Sequence, residues 1–293
     1  MERQDPLEAK SEENERSILV ALVGTGIQAS RTPRLHEQEG TAQGLRYIYK
    51  LVDLDALHLD VGALPEIMTA AQRFGFAGLN ITHPCKQVII SLLDRLSPEA
   101  SAIGAVNTVV FQNGASIGHN TDWWGFAESF RRELQNVPLN RVVQIGAGGA
   151  GAAVAHALLN LGAQQLLLVD TNQSRARDLA RRLCEQFGKS RVATNQRLEE
   201  AMSSADGLVN ATPVGMAKYP GLPVPVHELR RELWVADIVY FPLETELLRA
   251  ARTLGCRTMS GGGMAVFQAV AAFRLFTGYE PDADRMRRDF GLK

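Results

Sequence analysis

The string Gly146-Ala147-Gly148-Gly149-Ala150-Gly151 constrains this chain most, because it joins an apolar strand-like run, Val142-Val143-Gln144-Ile145, to a small-residue helix-like run. Gly146 permits a tight turn, Gly148 lets backbone amides approach a pyrophosphate, and Gly151 lets a helix pack closely on a sheet. The start of that helix offers unpaired N–H groups and a positive dipole end to phosphates. Nineteen residues beyond Gly151, Asp170 closes the run Gln165-Leu166-Leu167-Leu168-Val169. A carboxylate there can accept both hydroxyls of an adenosine ribose and repels a 2′-phosphate, so NAD is expected over NADP. Arg175 is near enough to hold such a phosphate and keeps NADP possible. Asp170 could instead cap the helix that follows. Thr212, Gly215 and Met216, in Asn210-Ala211-Thr212-Pro213-Val214-Gly215-Met216, follow another strand-like run. They could line the nicotinamide end or form an ordinary turn.

Around this motif, strand and helix patterns alternate: strands at 142–145, 165–170, 191–194, 207–210 and 234–240, and helices at 150–161, 174–187, 197–203 and 245–254. That alternation predicts a doubly wound parallel sheet of Rossmann type over residues 123–261. The first half reads as a second α/β unit. It has strands at 18–23, 47–52 and 78–82, helices near 62–74 and 86–96, and a hairpin (105–111 and 116–119) turning at Asn113-Gly114. A helix-like segment at 263–277 ends the chain. The expected division is a substrate-binding unit of 17–122 with 262–293, and a dinucleotide-binding unit of 123–261. Residues 1–16 are too polar to offset the entropy of ordering and are expected to form a disordered tail.

Composition excludes several rivals. Lys plus Arg (31) balances Asp plus Glu (32), which disfavours nucleic-acid binding by bulk charge. Three cysteines without a Cys-x-x-Cys disfavour a disulfide scaffold or thiolate metal cluster, and the six histidines lack ligand spacing, so no metal is expected. No apolar run is long enough to span a membrane and the N-terminus is charged, pointing to a cytoplasmic protein.

Polar residues of the first half sit at strand ends, where open α/β sheets bind ligands. Ser30 and Thr32 could converge from an extended segment on a carboxylate, or cap a helix. Lys86, after Asn80-Ile81-Thr82-His83-Pro84, opens a predicted helix. The dipole there disfavours its charge, which makes it a candidate proton-transfer group, although an isolated lysine is more simply a solvated one. Asp122 could orient Lys86 or cap a helix. Asn107 offers a two-way amide to a hydroxylated substrate. Hydride transfer to a nicotinamide with Lys/Asp proton handling makes these residues coherent.

Eight strings in order resemble the shikimate/quinate dehydrogenase family. They are Gly24-x-x-Ile27-x-x-Ser30-x-Thr32-Pro33-x-x-His36, Asn80-Ile81-Thr82-x-Pro84-x-Lys86, Gly104-Ala105-Val106-Asn107-Thr108, Gly118-x-Asn120-Thr121-Asp122, the glycine loop, Asn210-Ala211-Thr212-Pro213-x-Gly215-Met216, Asp237-x-Val239-Tyr240-x-Pro242-x-x-Thr245 and Gly263-Met264-x-x-x-Gln268. The resemblance implies two α/β domains flanking a cleft, with the C-terminal helix returning to the first. It implies that Lys86 and Asp122 form the catalytic pair in oxidising a cyclohexane-carboxylate alcohol to its ketone. Ser30, Thr32 and Tyr240 then match positions that hold the carboxylate, and Asn80, Thr82, Asn107 and Gln268 match those that bind ring hydroxyls. Gly263 falls near the nicotinamide.

Two departures sharpen this. Biosynthetic shikimate dehydrogenases usually carry Ser-x-Ser where this chain has Ser30-x-Thr32, and Asn-Arg-Thr where it has Asp170-Thr171-Asn172. Both look like the NAD-using quinate/shikimate branch. NADP-dependent shikimate oxidation, an aminoshikimate or aminoquinate substrate, and a non-catalytic quinate sensor remain as rivals. The protein is expected to be a monomer or homodimer acting on a hydroxylated cyclohexane or cyclohexene carboxylate.

Overall fold

The structure is a computed structural model and describes residues 17–194 and 197–292, so the tail expected over 1–16 lies outside it. The chain begins with β1 (Ile18–Gly24), α1 (Thr32–Ala42), β2 (Tyr47–Asp53), α2 (Leu64–Arg73), β3 (Gly78–Ile81), α3 (Cys85–Val88), β4 (Arg95–Leu96) and α4 (Pro98–Ile103). The hairpin β5 (Thr108–Gln112) and β6 (Ala115–His119) then leads into α5 (Asp122–Glu133). These strands form one mixed sheet ordered β2-β1-β3-β5-β6-β4, in which β1 runs parallel to β2 and β3 while β5 is antiparallel to both neighbours. Asn113 and Gly114 turn the hairpin with φ of 51° and 78°, the left-handed pair that a two-residue turn needs.

The second sheet is built by β7 (Arg141–Ile145), α6 (Gly149–Asn160), β8 (Gln165–Val169), α7 (Gln173–Phe187), β9 (Val192–Thr194), α8 (Leu198–Ser203), β10 (Gly207–Asn210), β11 (Trp234–Asp237), α9 (Glu246–Thr253) and β12 (Arg257–Met259). All its pairings are parallel, in the order β12-β11-β10-β7-β8-β9. Side chains alternate between two cores. Val142, Leu166 and Leu168 face the layer containing α6, whereas Val143, Leu167 and Leu208 face the layer containing α9. Burial on both faces is why these strands read as unbroken apolar runs. The direction of winding reverses between β7 and β10, the position at which open α/β sheets take ligands beyond the strands' carboxyl ends.

Two helices close the chain, α10 (Gly261–Thr277) and α11 (Ala283–Phe290). Ala272, Phe273 and Phe276 of α10 pack on Val20, Leu22 and Tyr47 of the first sheet. Arg285 of α11 makes a two-pronged contact, Nη2 and Nε each 2.8 Å from an oxygen of buried Glu39 on α1. No helix among the described residues is long and apolar enough to cross a membrane.

Three local expectations are corrected. The helix predicted near 86–96 is one turn, α3, followed by a 3-10 turn at Ile89–Leu92 and the short β4. The segment leaves the helix because Arg95 and Leu96 pair with Ile117 and Gly118. The strand predicted over 234–240 stops at Asp237, whose own carboxylate accepts the Val239 N–H at 3.0 Å and turns the backbone off the ladder. Ser30 and Thr32 do not lie in one extended segment: Thr32 opens α1, and its N–H points to Ser30 Oγ at 3.3 Å.

Candidate active site

Lys86 and Asp122 come from different elements and meet between the two sheets. Lys86 Nζ lies 2.6 Å from Asp122 Oδ2, with side chains 18% and 8% exposed. With α3 only one turn long, the helix-dipole argument for Lys86 loses its basis, and direct pairing with Asp122 replaces it. Asp122 is the one hydrogen-bond partner of Lys86 Nζ among the described residues. Asn120 anchors the start of α5, accepting from the N–H groups of Asp122 and Trp123 and donating to Ala105 O at 2.9 Å.

Asn107 holds the other Asp122 oxygen. Its Nδ2 donates to Asp122 Oδ1 and to Thr121 Oγ1, each at 2.9 Å, while its Oδ1 accepts from Thr121 N and Thr108 Oγ1. All four hydrogen-bonding positions of this amide are therefore taken by protein. Asn80 is similarly engaged: Oδ1 accepts from Tyr49 OH at 2.7 Å, and Nδ2 donates to Asn107 O and Thr108 Oγ1. Tyr49 and Thr108, which sequence reasoning missed, belong to this buried group.

Thr82 follows β3 and is half-buried, its N–H held by Val23 O at 2.9 Å. Gln268 on α10 is half-buried, its Nε2 donating to Ala265 O at 2.9 Å, which leaves Oε1 as an acceptor. Tyr240 is 45% exposed, yet the surrounding protein, and after it the negative charge of Asp122, raise its hydroxyl above the ordinary phenol value. Another missed residue is Asp53 at the end of β2. It accepts from the N–H groups of Gly26, Ile27 and Asp55 and from Gln28 Nε2, fixing the loop that leads to Ser30. Burial alone would raise its carboxyl, but these donors outweigh burial and hold it below the usual range.

The glycine loop stands beside Lys86. A β-carbon at Gly149 would stand 3.8 Å from Lys86 Cβ and Cδ. Gly146 has φ +99°, and a β-carbon on it would come 2.6 Å from Ala211 O, so the tight turn admits only glycine. Gly148 has open space beside it, and the amides of Gly149, Ala150 and Gly151 open α6 with no carbonyl one turn earlier to receive them. The loop thus fits a pyrophosphate. The Ala147 N–H is donated to Asp170 Oδ2 at 2.7 Å.

Asp170 does not cap α7; Asn172 does, accepting from Arg175 N at 3.1 Å. Asp170 instead receives Arg175 on both oxygens, Nη2 at 2.8 and 3.0 Å and Nε at 3.2 Å. Burial pushes this carboxyl up, and the guanidinium with the Ala147 and Asn172 amides pulls it below the ordinary value, so it is anionic. Thr212 N and Oγ1 both donate to Asn210 Oδ1, and Gly215 turns with φ +103°, placing Met216 at the surface. A β-carbon on Gly263 would collide with Ser129 Oγ, so this glycine lets α10 pack on α5.

Three family models match in chain order: the shikimate dehydrogenase substrate binding domain over 22–109, shikimate/quinate 5-dehydrogenase over 128–216, and the shikimate 5'-dehydrogenase C-terminal domain over 261–288. The chain is 58% identical over 275 residues to a shikimate dehydrogenase (NADP(+)) of Streptomyces avermitilis, covering 93% of this chain and 94% of that one.

This chain belongs to the shikimate/quinate dehydrogenase family.

It is 48% identical to a quinate/shikimate dehydrogenase (NAD(+)) of Corynebacterium glutamicum, covering 94% of this chain and 98% of that one. The solved quinate dehydrogenase from Corynebacterium glutamicum in complex with NAD superposes with a TM-score of 0.88 at 48% identity, over 94% of this chain and 98% of that one. The protein is accordingly an NAD(P)-dependent oxidoreductase with the two-sheet α/β architecture of shikimate/quinate dehydrogenases. Relatives naming each cofactor match it closely, so membership alone does not choose between them.

Proposed function

We propose that this chain oxidises the ring alcohol of quinate and of shikimate to the 3-dehydro ketone with NAD, reversibly, in the cytoplasm. The observation that carries this reading is the Lys86–Asp122 pair standing beside the glycine loop. Held by the Gly146–Gly151 loop, a nicotinamide cofactor would supply the acceptor for the hydride of the carbinol carbon. Neutral Lys86 takes the hydroxyl proton, and in the reverse direction its ammonium returns a proton to the ketone oxygen. Asp122 orients the amine. Ser30, Thr32 and Tyr240 hold the substrate carboxylate, and Thr82 and Gln268 bind ring hydroxyls. We assign Asn80 and Asn107 to the support of Asp122, because their amides are already engaged. Residues 17–122 with 262–293 would bind substrate, and 123–261 the cofactor.

The NAD preference rests on Asp170, an anionic side chain only 3% exposed, where a 2′-phosphate would have to sit. A second reading, NADP-dependent shikimate oxidation, draws on Arg175, which is 49% exposed and could turn from Asp170 to a phosphate. Initial rates for NAD and NADP, each against quinate and shikimate, decide between them. The first reading expects kcat/KM higher with NAD for both substrates. A clear NADP preference with shikimate would establish the second. No reduced cofactor in any combination would defeat both.

A further inference from the structure

We propose that Tyr49, Asn80 and Thr108 form a one-directional hydrogen-bond chain that, through Asn107, positions the Asp122 carboxylate and so fixes Lys86. The proposal rests on the reading of Lys86 and Asp122 as the proton-handling pair. It assigns a role to three buried polar residues: Tyr49 is 5% exposed, Asn80 4% and Thr108 0%.

The direction of every link is fixed by chemistry. A carboxylate only accepts, so the Asn107 atom 2.9 Å from Asp122 Oδ1 is the amide nitrogen. The Thr121 N–H only donates, so the Asn107 atom 2.7 Å from it is the oxygen. Thr108 must then donate its hydroxyl to Asn107 Oδ1 at 3.1 Å. Its oxygen in turn accepts from Asn80 Nδ2 at 3.0 Å, whose identity as a donor is fixed independently by the Asn107 carbonyl at 3.2 Å. Asn80 Oδ1 is left to accept from Tyr49 OH at 2.7 Å. Burial pushes the Tyr49 phenol well above its ordinary value, so it remains a donor.

Tyr49, Asn80, Thr108 and Asn107 therefore each donate toward Asp122. Aligned links polarise one another, and the last N–H faces the anion with more positive charge than an isolated amide carries. The chain spans β2, β3, β5 and the start of α5, so the carboxylate is tied to the sheet rather than to α5 alone. A displaced carboxylate would carry Lys86 Nζ with it, and small misplacements of a reacting group cost rate steeply.

Thr108→Val and Thr108→Ser separate this role from packing, because the first keeps the shape and loses the hydroxyl while the second does the reverse. The chain predicts that Thr108→Val lowers kcat about tenfold with KM for NAD unchanged, and that Thr108→Ser stays within about twofold of the parent. Tyr49→Phe, at the far end, should lower kcat about two- to threefold. It carries the test alone should Thr108→Val fail to fold. Competitive acetylation with acetic anhydride, read at Lys86 by mass spectrometry, gives a second measure independent of turnover. Labelling should rise several-fold in Thr108→Val and Tyr49→Phe but not in Thr108→Ser. Equal behaviour of the two Thr108 variants, or loss in Ser with retention in Val, would overturn the proposal. A parent enzyme inactive on quinate and shikimate defeats the functional reading instead, and the labelling pattern then decides the chain by itself.

Discussion

Arg175 lies across both carboxylate oxygens of Asp170, at 2.8 and 3.0 Å from Nη2, where β8 passes into α7. The pair holds opposite preferences side by side: the carboxylate repels a 2′-phosphate and the guanidinium attracts one. Asp170→Ala should lower kcat/KM for NAD by about tenfold and shift the NADP/NAD ratio upward, since the freed Arg175 is then available to the phosphate. Arg175→Ala should reduce use of NADP more than use of NAD. Steady-state rates with both cofactors check this. An unchanged ratio in Asp170→Ala would contradict it.

Gly146 is the backbone position least able to accept a side chain, combining φ +99° with a carbonyl 2.6 Å from where a β-carbon would stand. Gly146→Ala should cost about 1–3 kcal/mol of stability. It should also raise the KM for the cofactor while leaving the KM for quinate or shikimate nearly unchanged. Thermal unfolding and the two KM values measure these effects separately.

His36 is fully buried among Tyr47, Tyr49 and Phe273, with Nδ1 3.0 Å from Tyr47 OH, and burial pushes it down to about 3. The unfolded chain takes up a proton near its ordinary value of 6.5 and the folded one does not until about 3. Stability from this group is therefore complete above about 6.5 and is lost as pH falls toward 3, at up to about 1.4 kcal/mol per pH unit. Denaturant unfolding at stepped pH should show that slope, and His36→Gln should flatten it. An equal slope in the variant would contradict the assignment.

Much of the second sheet is legible in the sequence because its strands are buried on both faces and its turns are marked by glycine. The Asn113-Gly114 hairpin is equally plain. Other elements escape for physical reasons. Helix α1 buries His36, Glu39 and Gly40 beside a single leucine, so it shows no apolar period. Helix α11 has only Met286 and Phe290 on its buried face. Strand β4 exists through pairing with β6, a contact that local pattern does not encode. The site shows the same limit. Lys86 and Asp122 can be picked out by type and position. That protein partners fill all four positions of Asn107 and three of Asn80 depends on where Tyr49, Thr108 and Thr121 fall in three dimensions. Asp53 escapes notice as one more acid at a strand end until its oxygens are seen to hold the 26–28 amides.

The central claim is that Lys86, held 2.6 Å from Asp122, moves the proton while the substrate carbon loses its hydride. Removing a positioned acid–base group should cost on the order of 10²–10⁴ in rate. The direct test is kcat for NAD-dependent quinate oxidation by Lys86→Ala, with the fold verified by circular dichroism and thermal unfolding. A fall in kcat of at least about a hundredfold with KM for NAD unchanged is the predicted result, and undiminished turnover in that folded variant would contradict it.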